Sequence, residues 1–369
     1  MGSPGDRQPP RGADAASGAR VRRPNFITIW DRAGLAVVVL SSWAVFAIFA
    51  EGFTSKFNVF SVGRLVSILI VVGLAQTVVM GIGDINLSVG AVGGVVAMFF
   101  GWLVAPTQLG TAGLASGAPQ DVTALPGLGI NWQFAFILAL LFGAALGFIN
   151  GWLIVRSGLH GFIVTLGTMG VFSGSMYIIT KVKAFRNLPE GFLGFGKMKF
   201  FDLLSPLVFI MLGVVVFLFF FLRSTTPGRQ MLASGANRRA ALASGINVNR
   251  IVISTHMLSA ALAGLAGIML AARIGSAIPT IGTGGGGDWL LPSFAASAIG
   301  GTLFTGGSVN VVGTMFGGLL LGTVENGLNL LRVPGFWVQM ITGLVLLLAV
   351  ILDRIRVVAV ERSRMGAAQ

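Results

Sequence analysis

The sequence predicts an all-α integral membrane protein of about ten transmembrane helices, some broken or re-entrant, with a short helix at the cytoplasmic surface. Three observations predict it. First, 54% of the 369 residues are hydrophobic and only 10% are charged, with a mean hydropathy of +0.88, whereas soluble domains are roughly a quarter charged. Second, the chain holds a series of apolar runs near the roughly 20 residues that a helix needs to cross the hydrocarbon core. Third, the Lys and Arg residues behind the net charge of +13 gather at both ends and in one internal stretch, as residues held on the cytoplasmic side do. That pattern argues against a nucleic-acid partner and for a lipid bilayer. Cysteine is absent, which excludes disulfides, thiol nucleophiles and cysteine-ligated metals. With His160 and His256 as the only imidazoles, no zinc or di-iron centre is expected.

Taken in order, residues 1–30 form a basic N-terminal tail. Its first 25 residues are rich in Pro, Gly and Arg, and no apolar stretch precedes Gly34. A cleaved signal peptide needs one directly after its basic start, so the segment reads as a disordered cytoplasmic tail. A transmembrane domain covers 31–356 and a cytoplasmic tail 357–369. Candidate spans lie near 34–52, 58–82, 88–106, 132–155, 162–180, 203–222, 251–272, 290–305, 309–331 and 336–353. The second, third and eighth are short or Gly-rich and are the candidates for broken or re-entrant helices.

An even count puts both termini on one side. Arg7, Arg11, Arg20, Arg22, Arg23 and Arg32 precede the first span, and Arg354, Arg356, Arg362 and Arg364 follow the last, so that side is the cytoplasm. The same count puts 223–250 in the cytoplasm, with Arg223, Arg229, Arg238, Arg239 and Arg250. The loop 181–202, with Lys181, Lys183, Arg186, Lys197 and Lys199, falls outside, against the rule. Trp132, Trp289 and Trp337 fall at outer ends and Trp30 and Trp152 at inner ends, where interfacial anchors belong. Gly143, Gly147 and Gly151 recur every fourth residue, as do Gly318 and Gly322. That spacing predicts faces on which helix backbones approach closely, since apolar burial gives no advantage in lipid.

One apparent chemical motif fails. Residues 191–198, GFLGFGKM, satisfy G-x-x-x-x-G-K, but Met198 replaces the hydroxyl that would ligate magnesium. No strand leads into the segment, which reads as an irregular exposed loop, so no ATP site is expected in this chain. Polar groups at membrane depth mark either a pathway or a paired structural contact. The candidates are Asp84, Asn86, Ser88, Asn150, Thr165, Ser297, Glu325, Asn326 and Asn329, with Tyr177, His256, Ser293 and Gln339 beside them. Glu325 and Asn329 share a helix face. His256 suits a helix–helix hydrogen bond better than a proton relay. Neither Asp84 nor Glu325 has an evident charged mate in the sequence. The segment 228–250, GRQMLASGANRRAALASGINVNR, is polar, basic and Ala-rich. Its residues favour helix, punctuated by Gly235 and Gly245, and it would offer a handle to a soluble partner.

Four stretches resemble one known family, the permease subunits of ribose- and xylose-type ABC importers, a branch that also handles other monosaccharides and a sugar-like autoinducer. GDINLSVGAVGG (83–94) is similar to the family's G-G-I-D-L-S-V-G-S. GFINGWLIVRSGLHGFIVTLGTM (147–169) is similar to its I-N-G followed by F-I-x-T-L-G-T-M. PGRQMLASGANRRAALASGINVNR (227–250) resembles G-R-x-x-x-A-x-G-x-N-x-x-A-A-x-x-x-G-I, and FAASAIGGTLFTGGSVNVVGTMFGG (294–318) resembles a Gly- and Ala-rich run.

The resemblance implies two permease subunits, identical or paralogous, that form the pathway. It also implies an ATPase with two domains, often fused, and an extracytoplasmic sugar-binding protein. The setting would be a bacterial inner membrane. This chain would bind no cofactor, and the partner would use ATP and Mg. Gly228, Arg229, Gly235, Asn237, Arg238, Ala240, Ala241, Gly245 and Ile246 would belong to the segment that couples to the ATPase. The opening motif would contribute to the pathway, but here Asn86 holds the usual Asp position and Asp84 the usual second Gly. On a helix, that two-residue shift moves the carboxylate about 200° around the axis; in an extended segment it keeps the same face. The rival reading is an ion-coupled secondary transporter of a small polar solute, which would need paired carboxylates at the midplane and no ATPase. A membrane-embedded enzyme lacks any nucleophile–base or metal constellation in the sequence.

Overall fold

The computed structural model describes residues 26–107, 125–200, 203–283 and 288–341, with 343–344, 347–348 and 351 beyond them. Residues 1–25 of the predicted N-terminal tail, the whole predicted C-terminal tail and part of the last candidate span lie outside these residues.

The helices follow one another as α1 (Phe26–Phe49), α2 (Lys56–Gly81), α3 (Val89–Val104), α4 (Trp132–Ser157), α5 (Gly161–Thr180) and α6 (Glu190–Lys197). Then come α7 (Pro206–Ser224), α8 (Thr226–Ala236), α9 (Arg238–Ala243), α10 (Val248–Ile274), α11 (Leu290–Ile299) and α12 (Val311–Leu330). Residues 335–341 are also helical. Among the described residues β pairing is limited to isolated bridges. The helices α2, α4, α5, α7, α10 and α12 are long and apolar enough to cross a bilayer.

Local chemistry sets the boundaries. Asn131 Oδ1 accepts from Gln133 N at 3.0 Å to open α4, and Asn247 Oδ1 accepts from Arg250 N at 3.1 Å to open α10. Each satisfies an amide that the first helical turn leaves unpaired. The same helices end on Gly158 (φ 68°) and Gly275 (φ 86°), left-handed positions that glycine adopts without strain.

Burial ranks the helices. In their apolar windows α2 is 83% and α10 is 72% buried, against 22% for α5 and 28% for α7. The first two form the centre, and the last two leave most of their apolar surface for lipid. The second candidate span is therefore not a weak or broken element. It is an unbroken helix of 26 residues, the most buried of the six. By contrast α3 has 16 residues and α11 only ten, about 24 and 15 Å at 1.5 Å per residue.

The predicted glycine faces are contact faces. A Cβ at Gly147 would overlap the His256 carbonyl oxygen and lie 2.7 Å from Met257 Cα, and one at Gly151 would lie 2.6 Å from Ile253 Cα. Gly143 meets Ala260 O, at 3.2 Å from such a Cβ. Three glycines on one side of α4 thus let it lie directly on the backbone of α10. Gly318 and Gly322 do the same for α12 on α2, facing Ile70 and Val66. Trp43 Nε1 donates to Thr323 Oγ1 at 2.9 Å and ties α1 to α12.

Three expectations are corrected. The stretch 191–198 is not an irregular loop, because most of it forms α6. A Cβ at Gly196 would overlap the Ala272 carbonyl, so that glycine is required for packing against α10. Trp289 is no interfacial anchor: it is 3% exposed and its ring lies against Gly93, whereas Trp152 and Trp337 are each 48% exposed. The basic Ala-rich segment forms two short helices, α8 and α9, divided at Asn237.

Candidate functional site

The chain leaves helical geometry between Gly81 and Val89. Gly83 N donates to Met80 O at 2.9 Å, and Gly83 adopts φ 75°. Residues 84–86 are neither helix nor turn. In such a stretch, side chains two apart point the same way, and Asp84 and Asn86 both reach α10. Asp84 Oδ2 lies 3.2 Å from His256 Nε2, and Asn86 Nδ2 donates to Ser259 Oγ at 3.1 Å. His256 and Ser259 are three apart, neighbours on one helix face. His160 Nδ1 stands 3.7 Å from the other carboxylate oxygen. Asp84 therefore has the imidazole mates that the sequence did not reveal, one of them 172 residues away. Glu325 and Arg273 line one cavity, so Glu325 too has a charged residue beside it that the sequence did not reveal.

The bracket extends further. Asn86 Oδ1 accepts from Ser88 N at 3.0 Å and from Ser88 Oγ at 2.7 Å, and Asn150 Nδ2 donates to Ser88 Oγ at 2.8 Å. Thr165 Oγ1 accepts from Leu87 N at 3.0 Å and donates to Gly161 O at 2.7 Å. Asn86, Ser88, Asn150 and Thr165 are all buried. Five of the predicted site residues therefore form one network that holds a helix break together. A non-helical stretch inside the bundle is tolerated where its freed backbone groups find protein partners.

Ser297 belongs to a second cluster. It donates to Gly73 O at 2.8 Å and accepts from Thr77 Oγ1 at 2.9 Å, and Thr77 meets Thr314 Oγ1 at 2.8 Å. Glu325, Asn326 and Asn329 belong to a third. They line a cavity of about 700 Å³ together with Arg273, Asp288 and Gln339. Asn326 and Asn58 exchange amide hydrogen bonds of 3.0 and 3.1 Å at its edge.

Asp84 faces a smaller cavity of about 310 Å³, lined by Ile82, His160, Ser234, Asn237, Arg238 and others. Ser61 lines the larger cavity and Ile82 the smaller. These residues stand at the two ends of α2, roughly 30 Å apart at its helical rise. The two cavities thus open toward opposite ends of the bundle. The apolar packing of α2, α10, α11 and α12 and the Thr77–Ser297–Thr314 trio lie between them.

The segment expected to meet a soluble partner borders the smaller cavity. A Cβ at Gly228 would overlap Phe221 O, and one at Gly235 would overlap Gly81 O. These glycines make internal contacts. Asn237 caps α9 by accepting from Ala240 N at 3.0 Å. Ala241 is buried with Ile154, Val248 and Val252. Gly245 turns the chain at φ 79°, and Ile246 packs beside Ala241. Arg229, Arg238, Arg239 and Leu242 remain exposed. Sequence reasoning used Arg239 only for its charge and passed over Leu242, although a spacing of three places both on one face of the turn, away from Ala241. Gln76, Thr77 and Arg273 were also missed, and a polar residue inside a long apolar run is itself the signal for each.

Residues 58–350 match the family described as "Branched-chain amino acid transport system / permease component". The chain belongs to this permease family. The permease is 30% identical over 341 residues to the D-allose transport system permease protein AlsC of Escherichia coli, an overlap of 92% of this chain and 97% of the relative. It is 35% identical to the ribose import permease protein RbsC of Bacillus subtilis, over 87% and 91% of the two chains. It is 31% identical to the L-arabinose ABC transporter permease protein AraH of Azospirillum brasilense, over 93% of each. No solved structure matches the permease. It is a multi-pass membrane protein of sugar-permease kinship, with an all-helical build.

Proposed function

We propose that this permease forms the translocation pathway of an ATP-binding-cassette importer for a monosaccharide or similar polyol, as one of two permease subunits. The single observation that carries this reading is similarity along nearly the whole chain to permeases named for allose, ribose and arabinose. The family's description names amino acids, but these relatives all name sugars. The larger cavity suits a polyol, because amides, a carboxylate and a guanidinium offer donors and acceptors to ring hydroxyls.

In this reading the chain crosses the bilayer ten times, with both termini in the cytoplasm of a bacterial cell. The helices α1, α3, α5, α10 and α12 run outward, and α2, α4, α7, α11 and the segment from 335 onward run inward. The ten-residue α11 continues as irregular chain at 300–310 down to the junction with α8, so this crossing is the broken one. The larger cavity faces outward, where a sugar-binding protein delivers the solute. The smaller faces the cytoplasm beside α8 and α9, on which an ATPase with two nucleotide-binding domains docks. The ATPase uses ATP and Mg, and its movement reaches the pathway through Gly235, which touches both Gly81 and the 306–307 turn.

The test is uptake by vesicles holding the permease, its ATPase and its binding protein. Uptake is expected to require ATP and to survive an ionophore. Uptake driven by an ion gradient without ATP would establish secondary transport instead.

The docking surface makes a second prediction. Arg239 and Leu242 are exposed on α9, and surface substitutions of this kind usually change stability by no more than about 0.5 kcal/mol. The pair Arg239→Glu and Leu242→Asp is expected to lower binding-protein-stimulated ATP hydrolysis at least tenfold, with Tm nearly unchanged. Full stimulation in that variant would remove α9 from the ATPase interface.

A further inference from the structure

We propose that Gln76 is a sugar-contacting residue of the pathway, closed off in this conformation and offered to the solute when the path opens. The inference rests on the transport reading above.

Gln76 lies within α2 and is fully buried, yet neither its Nε2 nor its Oε1 has a hydrogen-bond partner among the described residues. A buried primary amide left this way costs stability, and native interiors rarely keep one. The surroundings are not short of polar groups. One residue further on, Thr77 is satisfied by Ser297 and Thr314. Thr77 points about 100° away around the helix axis, and its cluster leaves the Gln76 amide unpartnered.

Its helical phase says what it serves instead. Ser61, Leu65 and Leu69 line the larger cavity from α2, at steps of four that keep to one face. Gln76 follows Leu69 by seven residues, two turns and about 10 Å deeper on the same face. Ile82, six residues beyond Gln76, lines the smaller cavity. Gln76 therefore stands midway between the two cavities, on the stripe of α2 that already faces solute space at its outer end.

The amide chemistry fits a neutral polyhydroxylated solute. One amide offers a carbonyl acceptor and two N–H donors, while each sugar hydroxyl both donates and accepts. Vicinal hydroxyls can occupy both ends of the amide at once. Being uncharged, it holds such a solute without trapping it.

The experiment uses the full complex in proteoliposomes, with radiolabelled D-ribose, L-arabinose and D-allose assayed separately. Wild type, Gln76→Leu and Gln76→Asn are compared, with the Tm of each purified permease. Gln76→Leu is expected to reduce uptake at least tenfold while Tm holds or rises, because leucine needs no partner. Gln76→Asn, which keeps the amide but withdraws it by one methylene, is expected to fall between the two. Uptake by Gln76→Leu within twofold of wild type overturns the proposal. A Tm that falls along with uptake also overturns it, since that is the signature of a packing role. A wild type that carries none of the three sugars with ATP overturns the transport reading and this inference together. An active wild type with an unaffected Gln76→Leu overturns the inference alone.

Discussion

Gly235→Val is expected to abolish sugar uptake while the protein still reaches the membrane. The added atoms have no room. A Cβ there would overlap Gly81 O and lie 2.7 Å from Gly307 N and 2.9 Å from Ile82 Cα. All three are backbone atoms, which cannot swing aside as a side chain tip can. Overpacking of this kind costs about 1–3 kcal/mol or more, and here it is relieved most easily by lifting α8 away from the end of α2 and the 306–307 turn. Membrane insertion depends on the apolar spans and is unaffected. The measurements are vesicle uptake and ATP hydrolysis in the assembled complex. Uptake should fall to background, and hydrolysis should no longer respond to the loaded binding protein. Wild-type uptake by Gly235→Val would show that the junction is not the route by which movement reaches the pathway.

His256→Leu is expected to give the largest loss of stability. The imidazole is fully buried, 3.2 Å from the Asp84 carboxylate. Removing the hydrogen-bond partner of a buried carboxylate leaves that charged group unsatisfied, at a cost of about 3 kcal/mol or more. At about 2–4 °C per kcal/mol for a chain of this size or somewhat smaller, Tm should fall by roughly 10 °C. Asp84→Asn placed on top of His256→Leu removes the stranded charge and should restore at least half of that loss. A thermal melt in detergent reads both variants. If the double variant melts no higher than His256→Leu, the carboxylate is not what the histidine stabilises.

The glycine faces were legible because a step of four places residues on one side of a helix whatever they meet. Gly143, Gly147 and Gly151 needed no knowledge of α10 to be read as a contact surface. The break at 82–88 was legible for a similar reason, since Gly, Asp, Asn and Ser interrupt an apolar run. The orientation of its side chains was not, because it depended on whether the stretch was coiled or extended. Only the extended form lets Asp84 and Asn86 reach the same face of α10. Partners far along the chain were also hidden. Nothing near Asp84 in sequence points to His256, and nothing near Glu325 points to Arg273. Trp289 misled because a tryptophan at a helix end reads as an anchor at the lipid surface, whereas the notch at Gly93 takes its ring inside. The continuity and burial of α2 were not legible because its apolar run flows directly into the glycine-rich break.

The seam between α4 and α10 also constrains how the molecule works. Where main chain presses on main chain along several turns, the two rods have no side-chain cushion to shear, so they travel as a single plank. Any rocking that exposes the solute first to one compartment and then to the other must therefore pivot around that plank. The helices α5 and α7, with most of their apolar windows exposed, lie outside that plank.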